Sequence, residues 1–335
     1  MFRNGARYNS IGPWLSRYFG ERTVKAAIDA GFTCPNRDGT RGWGGCTFCS
    51  GEGSGEYAGI VHTGLSEDGR MIIPVKEHAD GSGEIAPPVQ QISSQLEFIS
   101  EKWSDPLCLA YFQNFTNTYA PVEQLRRLYY NALSHPKCVG LAIATRPDCI
   151  GPDVLELLRE INAQTFLWIE LGLQTSHPQT AERINRCCTL EEYDRCVSQL
   201  LESGIRVVTH LMFGLPGESR EDMMNSVRYV CREEIFGIKI HLLNILKGTP
   251  MDRLYLNGEV PLPEREEYIQ WAVDALELIP EDITIHRLTG DAPQGMLRAP
   301  LWAADKRYIL NGINKELKKR GSIQGCRAAG IRNPR

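Results

Sequence analysis

No apolar run in this chain approaches the ~20 residues that span a bilayer, so nothing in the sequence reads as a membrane segment. The first 26 residues hold five basic side chains against one acid, broken by Gly and Pro, and lack the apolar core of a secretory leader. That absence bears on the cysteines. Eleven in 335 residues would suit a disulfide scaffold in a short secreted domain, but here they read as thiols in a reducing cytoplasm. There is no low-complexity tract and no repeat beyond an alternation of strands and helices. Three cysteines cluster near the N-terminus without a fourth nearby, and no second cluster of this kind occurs.

A hydrophobic content of 42% in 335 residues can bury a large core, as one domain or as one domain with an appendage. The net charge of −4 is unevenly spread. Residues 1–26 carry +4, and residues 305–335 carry nine Lys or Arg against two acids, or +7, which leaves −15 for the middle. Basic ends on an acidic body fit contact with a phosphate backbone. A solvated tail accounts for the same charges, and composition alone does not choose between them.

Short apolar stretches at Val24–Ala30, Pro106–Phe112, Cys138–Ala144, Phe166–Gly172, Ile205–Phe213 and Phe236–Leu242 predict strands. Helical periodicity fills the intervals near Val89–Lys102, Val122–Leu133, Pro152–Ile161, Leu190–Ser203 and Arg220–Arg232. Pro121, Pro152 and Pro178 open helical segments, where a missing N–H costs little. Such alternation implies a parallel sheet with right-handed crossovers. Six units are too few to close an eight-stranded barrel, so the expected fold is α/β, an open (βα)6 partial TIM barrel with a helical, basic C-terminal extension. The expected division is a basic segment over 1–22, a core over 23–262 and an extension over 263–335. In the extension, Pro263–Ile279 and Trp302–Arg320 predict helices and Ile283–His286 a strand. Residues 60–88 form a long polar interval, with a hairpin expected around Met71–Val75.

The most informative residues are Cys34, Cys46 and Cys49, spaced Cys-x11-Cys-x2-Cys. Electron-transfer clusters normally take four cysteines, and structural zinc takes four closed ligands. Three thiolates on one loop suit a [4Fe–4S] cube whose fourth iron is open to a ligand, which points to chemistry at the metal. A zinc site would need a remote fourth ligand, with Cys326 or a histidine as candidates. The other eight cysteines fall mostly in apolar or helical surroundings and read as small buried hydrophobes.

The triad, with Phe48 before its last cysteine and glycines 39, 42, 44 and 45 around it, resembles the radical S-adenosylmethionine (SAM) superfamily. The run Asp29-Ala-Gly-Phe-Thr-Cys-Pro-Asn-Arg-Asp-Gly39 resembles the YhcC/YtqA-like proteins, relatives of the radical SAM catalytic subunit of Elongator. Further matching strings are Tyr111–Tyr119, Ala144–Asp148, Glu170–Thr175, His210–Glu218 and His286–Pro293, so the resemblance spans roughly residues 6 to 315. It implies two cofactors, a [4Fe–4S] cluster and SAM, and reductive cleavage of SAM to a 5′-deoxyadenosyl radical. It also implies an electron donor such as flavodoxin or ferredoxin, and tRNA as substrate at the wobble uridine's C5 substituent. A small molecule or cofactor precursor is the alternative substrate. A metal-bearing protein that binds RNA without turnover is the alternative of another class. No acetyltransferase segment is recognisable after residue 315, so the bifunctional Elongator arrangement is not expected.

Candidate SAM contacts follow from where the motifs fall. Gln113, Asn114, Thr116 and Asn117 close the second strand, where the superfamily often has a Gly-Gly-Glu motif; this chain departs from it. Glu170 lies in an otherwise apolar strand, and a carboxylate there costs several kcal/mol to bury unless paired. It suits a ribose hydroxyl, or else an ion pair with Arg146 or Arg206. Gln174 shares its face, and Arg146 is itself a candidate. Gly214 opens Gly-Leu-Pro-Gly-Glu218, a tight turn next to which related proteins place adenine; a helix cap is the plainer account of it. His210, His241 and His286 are candidates for substrate contact or proton transfer, against the commoner role of satisfied core residues. Arg186-Cys187-Cys188 departs from the Gly-His pair that Elongator-type relatives tend to carry after Asn-Arg, and leaves the role of its two thiols open.

Overall fold

A computed structural model describes residues 5–51, 85–100, 103–290 and 295–331. The interval 60–84 and the hairpin expected at Met71–Val75 lie outside the described residues. The central sheet is formed by β1 (Thr23–Ile28), β2 (Leu107–Phe112), β3 (Cys138–Thr145), β4 (Phe166–Gln174), β5 (Arg206–Phe213), β6 (Gly237–Leu242) and β8 (Thr284–Arg287). They pair in that order, and every pairing is parallel. The sheet is a curled, open partial barrel of the α/β class, as expected, with one strand more than the six expected for the core. The strand read at Ile283–His286 was placed beyond the core, yet its backbone hydrogen-bonds β6 as the seventh strand.

Crossover helices α2 (Pro88–Ser100), α3 (Val122–Leu133), α4 (Pro152–Gln164), α5 (Pro178–Arg183), α6 (Leu190–Glu202) and α7 (Arg220–Cys231) follow β1 to β5 in turn, with α5 and α6 both after β4. Thr189 and Ser219 begin α6 and α7 with capping boxes that satisfy exposed N–H groups at both starts. The period-two alternation of the strands then divides the interior into two layers. Outward residues such as Cys108, Ala110, Phe112, Leu167, Ile169 and Leu171 join the main core against the helices. Inward residues Leu109, Tyr111, Ala142, Phe166, Trp168 and Val208 form a second cluster inside the barrel.

That inner cluster closes the barrel's N-terminal end. Helix α1 (Ile11–Phe19), which the sequence reading did not anticipate, adds Ile11 and Leu15 to it. Its Trp14 packs edge-on against Phe236 at 4.9 Å between ring centroids. The remaining helices are α8 (Pro250–Leu256), α9 (Arg265–Leu278) and α10 (Lys306–Arg320), and a two-stranded ribbon pairs β7 (Ile245–Leu246) with β9 (Leu297–Ala299). The C-terminal helix begins at Lys306 rather than Trp302, because a 3-10 turn over Leu301–Ala304 precedes the Asp305 cap. The two chain ends meet: Arg7 Nη1 donates to Ser322 O at 3.0 Å, and Asn9 N donates to Gln324 Oε1 at 2.8 Å. Among the described residues no helix is long and apolar enough to cross a membrane.

Candidate active site

With the N-terminal end filled by aromatic rings, the open space lies above it. A cavity of about 420 Å³ runs from the middle of the strands to their C-terminal ends. Cys34, Cys46 and Cys49 all line it. The loop that carries them leaves β1 and folds back on itself, and four of its glycines, at 31, 39, 44 and 45, have positive φ. Gly42 is needed for a different reason: a Cβ there would stand 2.9 Å from the Cys187 sulfur.

Side chains from distant segments fix the loop. Asn36 Nδ2 donates to the Cys46 sulfur at 3.4 Å and to Asn185 O at 3.0 Å, while Asn185 Nδ2 donates back to Gly45 O at 2.7 Å. Thr116 Oγ1 donates to the Cys34 sulfur at 3.0 Å. A hydrogen bond from Cys49 pulls the Cys46 thiol down to about 7 against the effect of burial, with Arg146 and Arg186 helping. The same bond, with burial, pushes Cys49 up. Burial raises Cys34. Among the described residues no three His, Cys, Asp or Glu side chains converge as a single-ion site. Cys326 is exposed on the C-terminal segment and does not line the cavity.

Of the candidate SAM contacts, Gln113, Arg146, Glu170 and Gln174 line the cavity and Asn117 and Gly214 do not. Asn117 is fully buried, and its Nδ2 donates to Asn114 O and Ala144 O, both at 2.9 Å, so it ties β2 to β3. Gly214 turns the chain at φ 84°, and its N–H donates to the Met223 sulfur at 3.3 Å. Arg146 is held by Asp148 at 2.9 and 2.8 Å and donates to Arg186 O at 2.7 Å, so its guanidinium braces the turn before Cys187. Gln174 sits at φ 62°, at a register break between β4 and β5.

Glu170 has the ion pair that its burial demands, but with neither expected partner. Its carboxylate pairs with the Lys239 ammonium from β6 and accepts from His210 Nε2 and Trp168 Nε1, each at 2.9 Å. Arg146 is engaged with Asp148, and Arg206 lies over the Phe166 ring at 4.4 Å. Lys239 also donates to Tyr111 Oη at 2.8 Å, and Lys25 from β1 stands 4.8 Å above the Tyr111 ring. Burial drives the Lys25 and Lys239 ammoniums down and the Tyr111 phenol up. His210 and His241 line the cavity, whereas His286 bonds Thr284 and packs on Trp168 as a core residue. Cys188 faces the cavity, and Cys187 does not.

Lys25, Tyr111, Lys239, Asn244 and Arg287 line the cavity without having been singled out in the sequence. The signal that exposed Glu170 was available for two of them. Lys25 and Lys239 are charges inside apolar strands, Val24-Lys-Ala26 and Ile238-Lys-Ile240, on the inward phase of the pleat.

The model of the Radical SAM superfamily matches residues 34–230, and that of the Radical_SAM C-terminal domain matches residues 235–319. The chain belongs to the radical SAM superfamily. Its members are enzymes that use a [4Fe–4S] cluster and SAM, and these are the chain's cofactors. It is 43% identical over 319 residues to the uncharacterized protein YtqA of Bacillus subtilis, covering 95% of this chain and 92% of that one. A tRNA uridine(34) acetyltransferase of Methanocaldococcus jannaschii is 28% identical over 166 residues, which are 49% of this chain and 30% of that one. Among solved structures, Elp3 of Methanocaldococcus infernus superposes with a TM-score of 0.64 at 21% identity. That match covers 71% of this chain and 60% of Elp3 and shows a shared fold.

Proposed function

We propose that this chain is a cytoplasmic radical SAM enzyme whose cluster is held by Cys34, Cys46 and Cys49 and whose substrate is tRNA, at the C5 substituent of the wobble uridine. The observation that carries the reading is that three cysteines of one loop line a single cavity at the C-terminal ends of the strands. The donor set fits the group. Three thiols of one loop face the same space, and Asn36 and Thr116 stand at the Cys46 and Cys34 sulfurs as hydrogen-bond donors of the kind that tune a cluster's potential. When bound, the cluster and SAM supply a carbon-centred radical by one-electron cleavage of a sulfur–carbon bond.

The protein's own side chains bind, orient and exclude water. We assign Gln113, Arg146, Glu170 and Gln174 to SAM. Glu170 accepts from Trp168, His210 and Lys239 while lining the cavity, where its carboxylate suits a ribose hydroxyl. Asn244 Oδ1 is buried with no partner among the described residues, on a residue of the same wall, and suits a donor from the ligand. The electron comes from a donor such as flavodoxin or ferredoxin.

Two observations support tRNA: the similarity to tRNA uridine(34) acetyltransferases over about half of this chain, and the exposed basic residues of α10. A small-molecule substrate is the second reading, favoured by a polar floor that lies within the strands, too deep for a polynucleotide backbone. Nucleoside mass spectrometry of tRNA from a strain lacking this gene decides between them. The tRNA reading expects one modified uridine to be lost or replaced, restored by the wild-type gene and not by Cys34→Ala. An unchanged tRNA profile contradicts it.

A further inference from the structure

Below the cysteine loop the cavity wall changes character. Lys25, Tyr111, Glu170, Lys239, His241 and Arg287 come from five different strands and face one another across the floor. Two ammoniums, Lys25 and Lys239, share the single carboxylate of Glu170, and Lys239 holds that carboxylate directly. Lys25 stands over the Tyr111 ring and feels the Glu170 carboxylate without bonding it directly. Arg287 lies on the same wall. The His241 Nε2 is buried with no partner among the described residues. Burial and the nearby Arg287 hold His241 neutral, and Arg287 also acts against the charge on Lys25 and Lys239. Cations gathered in a low-dielectric interior repel one another and lose hydration, so a bound anion stabilises their charged form.

We infer that this floor is a binding subsite for a carboxylate of the substrate, held by Lys25 and Lys239 with His241 beside them. The inference rests on the radical SAM reading and adds a substrate class to it. SAM's own carboxylate does not meet the need, because its methionine part belongs at the open iron beside the cysteine loop. Lys25 lies three residues before the end of β1, roughly 10 Å of extended strand below that end. The floor is also walled on five strands, so it takes a group of few atoms rather than a backbone phosphate. Two sources carry such a carboxylate: a small organic acid, or a nucleoside whose base bears a carboxymethyl substituent.

Isothermal titration of the anaerobically reconstituted holoprotein, at constant ionic strength and with SAM present, tests this. The titrants are acetate and a carboxymethyl-bearing uridine, with chloride and unmodified uridine as controls. The subsite predicts saturable binding of a carboxylate at one site, weakened at least tenfold in Lys25→Met and largely restored in Lys25→Arg. Tighter binding of the substituted nucleoside than of acetate assigns the carboxylate to a nucleic acid, and equal or weaker binding assigns it to a small acid. Carboxylate binding that is absent, or equally strong in Lys25→Met, overturns the inference. Iron content and SAM affinity of the same preparations report on the cofactor reading separately, so failure of one is not mistaken for failure of the other.

Discussion

Lys239 on β6 and Glu170 on β4 form an ion pair inside the barrel, two strands apart, with both side chains 2% exposed or less. Both line the cavity but are almost fully buried, so neither recovers bulk hydration when its partner is lost. Removing one partner of such a pair leaves an uncompensated charge and costs about 3–5 kcal/mol, whereas replacing both with uncharged groups is often close to neutral. Lys239→Met should therefore destabilise the protein by that amount in urea unfolding, and Glu170→Gln combined with Lys239→Met should recover most of it. Additive losses in the double variant would show that the two side chains act independently.

Stability should also fall on mild acidification. Burial, reinforced by Lys239, holds the His210 imidazole down from 6.5 to about 4, despite the pull of Glu170 in the other direction. Charges from three strands act on it: Glu170 on β4, Lys239 on β6 and Arg287 on β8. Between those two values the unfolded chain binds the proton and the folded one does not. The contribution is therefore complete above about pH 6.5 and lost by about pH 4, amounting to roughly 3 kcal/mol. His241 and His286 are depressed for the same reason and add slope of the same sign. His210→Asn should reduce the slope of unfolding free energy against pH in that window by about one proton; an unchanged slope would show that His210 does not titrate there.

Iron content should follow the cysteine loop alone. Cys34→Ala, Cys46→Ala and Cys49→Ala should each abolish the cluster after anaerobic reconstitution. Cys108→Ala, Cys138→Ala and Cys231→Ala should retain about four irons per chain, because these thiols pack among outward-facing core residues. Loss of iron in the second group without unfolding would mean that the cluster has other ligands.

Much of this was legible in the sequence. The order of strands and helices followed from apolar periodicity, and Val122–Leu133 was placed to the residue. The cysteine loop stood out by its spacing, and its three thiols line one cavity. Three features escaped for a common reason: they depend on what faces what in space. The seventh strand looked peripheral because α8 and α9 separate it in sequence from β6. Glu170 was recognised as needing a partner, but only the register of β4, β5 and β6 identifies Lys239 as that partner. Asn117 and Gly214 lie in matching motifs, yet their polar groups serve the backbone around them.

The basic C-terminal helix divides in the same way. Arg320 follows Lys318 and Lys319 in the basic tail, but its guanidinium bonds Asp274 at 2.8 Å and Glu316 at 3.0 Å and is partly buried. It is a structural residue that fastens α10 to α9. Lys315, Lys318 and Lys319 are exposed. If α10 docks tRNA, neutralising these three should lower the slope of log K against log salt by roughly two to three units. Arg320→Ala should instead lower thermal stability. A wild-type salt slope in the triple lysine variant would move the docking surface elsewhere.

The central claim is that the cavity beneath Cys34, Cys46 and Cys49 performs radical SAM chemistry. The most direct measurement is the product of SAM in anaerobically reconstituted, reduced protein without substrate. The account predicts slow formation of 5′-deoxyadenosine and methionine by the wild type, with about four irons per chain, and none by Cys34→Ala. Intact SAM in the presence of a fully loaded, reduced cluster would contradict it.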